Sequence, residues 1–388
     1  MAIKILSVDD ENDLELLLTQ YFRRKIRKGE YEFFFAHNGI EALKLLLEQP
    51  DIDIILSDIN MPEMDGLTLL TKINELRNPA LKCIMVSAYG DMSNIRTAMN
   101  NGAFDFATKP IDLDDLSITI EKAIEQINFV KNSQQEHSQL EMIKTDLAVA
   151  AEIQQSILPR TMPEFDAEAG KFDLAQVMHP AKDIGGDFYD YFKIDDDRLG
   201  LVMADVSGKG IPAAIFMAVS RTMIHISGFQ KDYTAAECID VSNKMLSKES
   251  VDNMFVTVFY AIYNVKTGEI NYCNAGHNPP YILRKDGRLE RLPNSVSTMV
   301  GVFDFMEFAD DTTKLEEGDM LVMYTDGVDE ACNIVNEEFS DERLEMALNE
   351  CVGATCQETI DKLLGRVKEF VGNAQQSDDI TVLAIKRL

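Results

Sequence analysis

Between Leu113 and Leu158 the chain contains neither glycine nor proline. A stretch of that length without either residue reads as one long helix. Apolar residues recur at Leu113, Leu116, Ile120, Ala123, Ile127 and Val130 with the three–four spacing of a coiled coil. The pattern lapses from Asn132 to Gln139 and resumes in a shifted register at Leu140, Ile143, Leu147 and Ala150. Such a break is where a coiled coil changes its winding. Pro159 and Pro163 end the helix. A chain of 388 residues exceeds one hydrophobic core, so two or three domains are expected. The sequence places them at 1–125, at 113–160 as a helical coiled-coil linker overlapping the last helix of the first, and at 161–388.

The first segment alternates short apolar runs (IKILSV, FFFA, IDIIL, CIMVSA, FDFAT) with amphipathic stretches such as Leu14, Leu17, Leu18, Tyr21 and Phe22. Five strand–helix units of this kind predict a five-stranded parallel sheet covered by helices on both faces, an α/β architecture. Function in such sheets gathers at the carboxyl ends of the strands. Those ends carry Asp9 and Asp10, Asp58, Ser87, and Lys109 before Pro110. Carboxylates on adjacent strand tips repel one another unless a cation lies among them. An open, oxygen-only site suits Mg²⁺, which keeps waters and accepts phosphate company. Lys109 can neutralise a further anion and Ser87 can hydrogen-bond to it, which is what an aspartyl-phosphate on Asp58 needs.

This constellation resembles the flavodoxin-like receiver domain of two-component response regulators. The resemblance implies a histidine kinase as phosphoryl donor to Asp58. It also implies Mg²⁺ held by Asp10, Asp58 and the backbone carbonyl of Asn60, with Asp9 helping through water. Ser87 and Phe106 match the hydroxyl and aromatic switch positions. Phe106 lacks the hydroxyl of the more familiar tyrosine, so a switch there works by packing.

After the long helix, short strands (LGLVMAD, MFVTVFYAIYN, EINYCNA, DMLVMYTDG) alternate with helices over Ala213 to Met223, Ala235 to Ser247 and Gln357 to Val371. That mixture predicts an α+β layer fold on antiparallel sheets. Aspartates again fall at strand ends. Asp205 and Asp326 close apolar strands before turn-type sequence, and Asp378 and Asp379 precede TVLAI. Without paired His or Cys ligands, such carboxylates point to hard, oxygen-ligated cations rather than zinc. Two such ions can activate a water and hold a phosphoryl oxygen with no protein nucleophile.

The ordered set AAEIQQSILP, GGDFYD, ADVSGKGIPAA, NAGHNPP, YTDGVDEA and SDDITVLAI resembles the metal-dependent PPM family of serine/threonine protein phosphatases. Within it, the match is to the branch of stage II sporulation protein E and the partner-switching stress regulators. The resemblance implies an antiparallel β-sandwich flanked by helices, with two Mn²⁺ or Mg²⁺ ions held by Asp187, Asp205, the carbonyl of Val206, Asp326 and Asp378. Asp379 follows as the neighbouring polar residue, and Lys182 stands where relatives place a basic residue on the substrate phosphate. His277, in a turn beside Gly276 and two prolines, reads as structural. The implied substrate is a phosphorylated anti-sigma-factor antagonist of the STAS type. In this branch a helical element at the start of the phosphatase domain completes the metal site. Here that element is AAEIQQSILP, so phosphorylation of Asp58 is expected to activate through the linker helix, paired as a homodimer.

A formal net charge of −29 argues against nucleic-acid binding, which rests on Lys and Arg neutralising phosphates, and against an anionic membrane surface. No apolar run approaches the roughly 20 residues of a membrane span. The six cysteines show no CxxC pair and the N-terminus no leader, so a reducing cytoplasm is expected. A helix-turn-helix output is not recognisable. The competing reading is a phosphorylation-controlled adaptor that sequesters a regulatory protein through the second domain without relevant catalysis.

Overall fold

The computed structural model describes residues 2–88, 91–165, 171–249, 254–294 and 296–388. It divides into two compact units, Met1–Ile143 and Lys144–Leu388.

In the first unit, strands β1 (Ile3–Val8), β2 (Tyr31–Ala36), β3 (Ile54–Asp58), β4 (Lys82–Ala88) and β5 (Asp105–Lys109) form a parallel sheet in the order β2-β1-β3-β4-β5. The central strand β3 is buried throughout, as IILSD between two helical layers must be. Helices α1 (Asn12–Tyr21), α2 (Arg23–Arg27), α3 (Gly39–Glu48), α4 (Gly66–Glu75) and α5 (Met92–Asn100) follow successive strands. Asn38 and Asp65 cap α3 and α4 by accepting from the backbone N–H of Glu41 and Thr68.

Helix α6 runs unbroken from Leu113 to Ile157. Its first apolar stripe, read from spacing as a coiled-coil seam, has another use. Leu116, Ile120, Ala123 and Ile127 are buried in the first unit's own core with Ile5, Leu56 and Ile84. A helix packed on a sheet needs the same three–four stripe as one packed on a partner helix, so spacing cannot name the partner. Each large side chain so buried contributes roughly 1.5–3 kcal/mol. Lys131 then pairs with the buried Asp53 at 2.6 Å. Beyond it Leu140 and Ile143 are exposed.

The second unit is a sandwich of two antiparallel five-stranded sheets. One has the order β13-β10-β9-β8-β7, built from β7 (Phe188–Lys193), β8 (Arg198–Val206), β9 (Val256–Asn264), β10 (Glu269–Ala275) and β13 (Asp311–Lys314). The other has the order β12-β11-β14-β15-β6, from β6 (Phe172–His179), β11 (Tyr281–Leu283), β12 (Leu289–Arg291), β14 (Met320–Tyr324) and β15 (Ile380–Arg387). Helices α7 (Ile211–Gly228) and α8 (Ala235–Glu249) lie on the first sheet, and α9 (Ser340–Asn349) and α10 (Cys356–Val371) on the second. Thr355 and Glu358 close a capping box at the start of α10. By length and composition α7 is apolar enough to cross a membrane. Its residues Ala213, Phe216, Met217 and Ile224 are buried in the core that Phe188, Leu201 and Met203 share.

Candidate active sites

In the first unit, parallel register brings the strand ends together. Carboxylate oxygens of Asp9, Asp10 and Asp58 all lie within 4.8 Å of one another. Lys109 Nζ reaches Asp58 Oδ2 at 2.5 Å and Asp9 Oδ2 at 2.9 Å. Burial opposes the charge on Lys109, but these two ion pairs outweigh it and hold its pKa well above the usual lysine value. The backbone N–H of Asn60 donates to Asp58 Oδ1 at 3.2 Å, placing that residue beside the carboxylate. The Ser87 hydroxyl is 0 % exposed and has no hydrogen-bond partner among the described residues. A buried, unpaired hydroxyl beside a carboxylate trio suits an incoming phosphoryl oxygen. Phe106, on the edge strand, is 37 % exposed. The oxygen-only donor set fits Mg²⁺.

In the second unit the aspartates converge from both sheets. The β7–β8 register pairs Phe188 with Ala204, so Asp187 and Asp205 stand across from each other at the strand ends. Thr325, just past β14, and Thr381, in β15, donate their hydroxyls to Asp187 Oδ2 at 2.7 and 2.6 Å. A carboxylate from one sheet is thus oriented by two hydroxyls from the other. Asp187 is 1 % exposed. Burial pushes its carboxyl well above the usual range, and the charge of Asp205 pushes the same way against those two hydroxyls. Burial and then the charge of Asp326 raise Asp205 to about 7. Burial and Asp378 raise Asp326 to about 6. Buried carboxylates arranged at such mutual cost fit divalent cations.

Two glycines make the approach possible. A Cβ at Gly186 would stand 3.0 Å from the Val206 carbonyl oxygen, so that oxygen faces the Asp187 loop. A Cβ at Gly185 would collide with Asp379 Oδ2 at 2.3 Å. Asp379 itself has its oxygens committed: Oδ1 accepts from Ala181 N at 2.8 Å, and Oδ2 from Gly186 N at 2.7 Å and Asp187 N at 3.3 Å. Asp379, the polar neighbour of the expected ligand Asp378, thus shapes the loop that presents Asp187. Lys182 is exposed, without a hydrogen bond or ion pair among the described residues.

Besides Thr325 and Thr381, three residues with a place here escaped the sequence reading. Lys209 Nζ bonds Asp378 Oδ2 at 2.7 Å and the Ser377 carbonyl at 2.8 Å. A lysine between Gly208 and Gly210 was the available signal. Asp329 is raised to about 7 by burial, and Asn278 of the NAGHNPP turn donates to it at 3.3 Å. Gln154, near the end of α6, is buried and grips Gly185 twice, donating to its carbonyl at 2.7 Å and accepting from its N–H at 3.1 Å. Spacing alone gives no hint of that clasp.

His277 bridges the sheets. Its Nε2 lies 3.1 Å from the Tyr324 carbonyl and its Nδ1 3.0 Å from Thr257 Oγ1. Because a carbonyl only accepts, Nε2 carries the proton and Nδ1 accepts from Thr257. Burial lowers its pKa to about 4, so it stays neutral near pH 7. His277→Ala removes the hydrogen bonds to the Tyr324 carbonyl and the Thr257 hydroxyl and opens a cavity. The expected loss is about 2–4 kcal/mol in urea unfolding, with no activity step near pH 6.5 attributable to His277 in the unaltered chain.

Residues 195–388 match the family model of stage II sporulation protein E, and residues 5–121 that of the response regulator receiver domain. The chain is 30 % identical over 270 residues to the phosphoserine phosphatase RsbU of Bacillus subtilis, covering 65 % of this chain and 74 % of RsbU. It is also 30 % identical over 270 residues to protein IcfG of Synechocystis, covering 63 % of this chain but only 42 % of that longer protein. The SiaA-PP2C domain of Pseudomonas aeruginosa superposes with a TM-score of 0.56 at 20 % identity, over 64 % of this chain and 98 % of that one, a likeness of fold.

Proposed function

The chain belongs to the stage II sporulation protein E family of PP2C-type serine/threonine phosphatases, behind a response regulator receiver domain, and on that premise we propose that phosphorylation of Asp58 controls hydrolysis of a phosphoserine or phosphothreonine protein. The observation that carries the reading is the convergence of Asp187, Asp205, Asp326 and Asp378 at one end of the sandwich, where burial and neighbouring carboxylates raise the carboxyls of Asp187, Asp205 and Asp326. Asp187, Asp205, the Val206 carbonyl, Asp326 and Asp378 would hold two Mn²⁺ or Mg²⁺ ions. When bound, such ions supply an activated water and a grip on a phosphoryl oxygen. Thr325 and Thr381 orient Asp187, and Asp379 fixes its loop. Lys182 is free to meet the substrate phosphate.

In the receiver, Asp58 takes the phosphoryl group from a histidine kinase, with Mg²⁺ held by Asp10, Asp58 and the Asn60 carbonyl and Asp9 assisting. Lys109 and Ser87 stabilise the product anion, and Phe106 repacks. The linker segment 113–160 carries the change to the phosphatase, where Gln154 holds the residue two before Asp187. Its exposed stretch around Leu140 and Ile143 would pair in a homodimer. The likeness to a phosphoserine phosphatase, RsbU, supports a phosphoserine protein as substrate, and the resemblance to the partner-switching branch makes a STAS-type protein the partner to try.

The test is phosphate release from a phosphoserine STAS-domain protein with Mn²⁺, against EDTA and against a phosphotyrosine control. Mn²⁺-dependent turnover of phosphoserine alone is expected. Tight binding of the phosphoprotein with no turnover would replace the reading with that of an adaptor.

A further inference from the structure

A cavity of about 310 Å³ opens beside the phosphatase aspartates, between the last turns of α10 and the start of β15. Its floor is apolar, formed by Ala331, Leu364, Val367, Val371 and Ile380. Its walls are the two segments that carry the site: Gly327 follows Asp326 directly, and Ser377 directly precedes Asp378. The rim is held in shape by Gln376, whose Nε2 donates to the His179 carbonyl at 2.8 Å and the Asp378 carbonyl at 2.7 Å. A fixed apolar hollow therefore shares its backbone with two residues proposed to hold the ions that grip a substrate phosphate.

Charge distinguishes this hollow from the rest of the surface. The whole chain carries a formal net charge of −29, yet among the described residues no Asp or Glu side chain lines the cavity, while Lys368 and His179 do. An acid-free wall next to a phosphate site suits an anionic peptide better than most of this protein's surface does. The volume accommodates one large aliphatic side chain with room for its backbone, and apolar pockets of this kind give orientation and selectivity to a ligand anchored elsewhere by polar groups.

We propose that this cavity receives an aliphatic side chain, of the leucine, isoleucine or methionine class, lying close in sequence to the phosphoserine of the protein substrate. The inference rests on the phosphatase reading above and adds a specificity pocket to it. Occupancy fixes how the chain enters the site. It therefore acts on KM more than on kcat, because the anchor is held alike before and during hydrolysis.

The probe is a set of short phosphoserine peptides in an alanine background, with a single leucine moved one residue at a time along each flank. With Mn²⁺ present, one leucine position is expected to raise kcat/KM about tenfold over the all-alanine peptide, through KM. Val371→Trp and, separately, Ala374→Trp fill the cavity from the end of α10. Either variant should erase the leucine preference while leaving p-nitrophenyl phosphate turnover unchanged, and that turnover also reports that the variant is folded. Indifference of the unaltered protein to leucine at every position would overturn the proposal. So would a preference that survives in a filled variant that still turns over p-nitrophenyl phosphate. Failure of the unaltered protein to hydrolyse p-nitrophenyl phosphate with Mn²⁺ would overturn the phosphatase reading itself.

Discussion

Asp187→Asn lowers Mn²⁺-dependent phosphate release by about a thousandfold or more, yet leaves the protein folded. The substitution is nearly isosteric, and the asparagine carbonyl can still accept from Thr325 and Thr381, which now hold Asp187 Oδ2 at 2.7 and 2.6 Å. What disappears is a buried negative charge opposite Asp205. In metal-free buffer that charge is a liability, so the variant should be more stable than the parent by about 1 kcal/mol or more, roughly 2–4 °C in Tm for a unit of this size. Opposite signs for activity and apo stability mark a residue kept for ligation rather than for the fold. Loss of both together would assign Asp187 to packing instead.

In metal-free protein the contribution of Asp205 and Asp326 to stability falls as pH rises from about 4 to about 7, and Asp205→Asn removes much of that fall. The folded state raises the Asp205 carboxyl to about 7 and the Asp326 carboxyl to about 6, from a starting value of 3.8. Between the unfolded and folded values the native chain holds more protons than the unfolded one, so native stability falls with rising pH and levels off above about 7. The difference in unfolding free energy between Asp205→Asn and the parent should therefore be near zero at pH 4 and grow to about 1–3 kcal/mol above pH 7. Added Mn²⁺ should stabilise the parent most above pH 7 and least below pH 5, where protonated carboxylates no longer bind it. Urea titrations across that range, with and without the ion, give both curves. A flat difference would mean the carboxylates are not coupled as their burial requires.

What could be read from the amino acids was the part of each site written locally. Asp58, Asp205 and Asp326 end buried apolar strands and run into turn residues, and that pattern needs no knowledge of the fold. Helices α7, α8 and α10 were legible for the same reason, since periodicity and caps are local. Thr325, Thr381, Lys209 and Gln154 were not legible, because each acts on a residue brought near only by the sandwich: Thr381 lies 194 residues from Asp187. Asp379 illustrates the converse. It sits next to Asp378 in a motif, but strand geometry turns its carboxylate to backbone N–H groups. The stripe on α6 shows a limit of periodicity. Leu116, Ile120, Ala123 and Ile127 satisfy a heptad, yet the surface they meet is the receiver's own sheet.

The proposed control runs from Asp58 through the linker helix to the loop of Asp187, with the Gln154 clasp on Gly185 as its last link. The direct measurement is the initial rate of phosphate release from a phosphoserine STAS-domain protein in Mn²⁺, with and without beryllofluoride as the phosphoryl mimic. The mimic should raise the rate about fivefold or more in the unaltered chain, the coupling expected of a switch worth about 1 kcal/mol or more. It should have no effect in Asp58→Ala, and little in Gln154→Ala, whose unstimulated turnover persists. Equal rates with and without the mimic, while Asp58 is seen to bind it, would contradict the account.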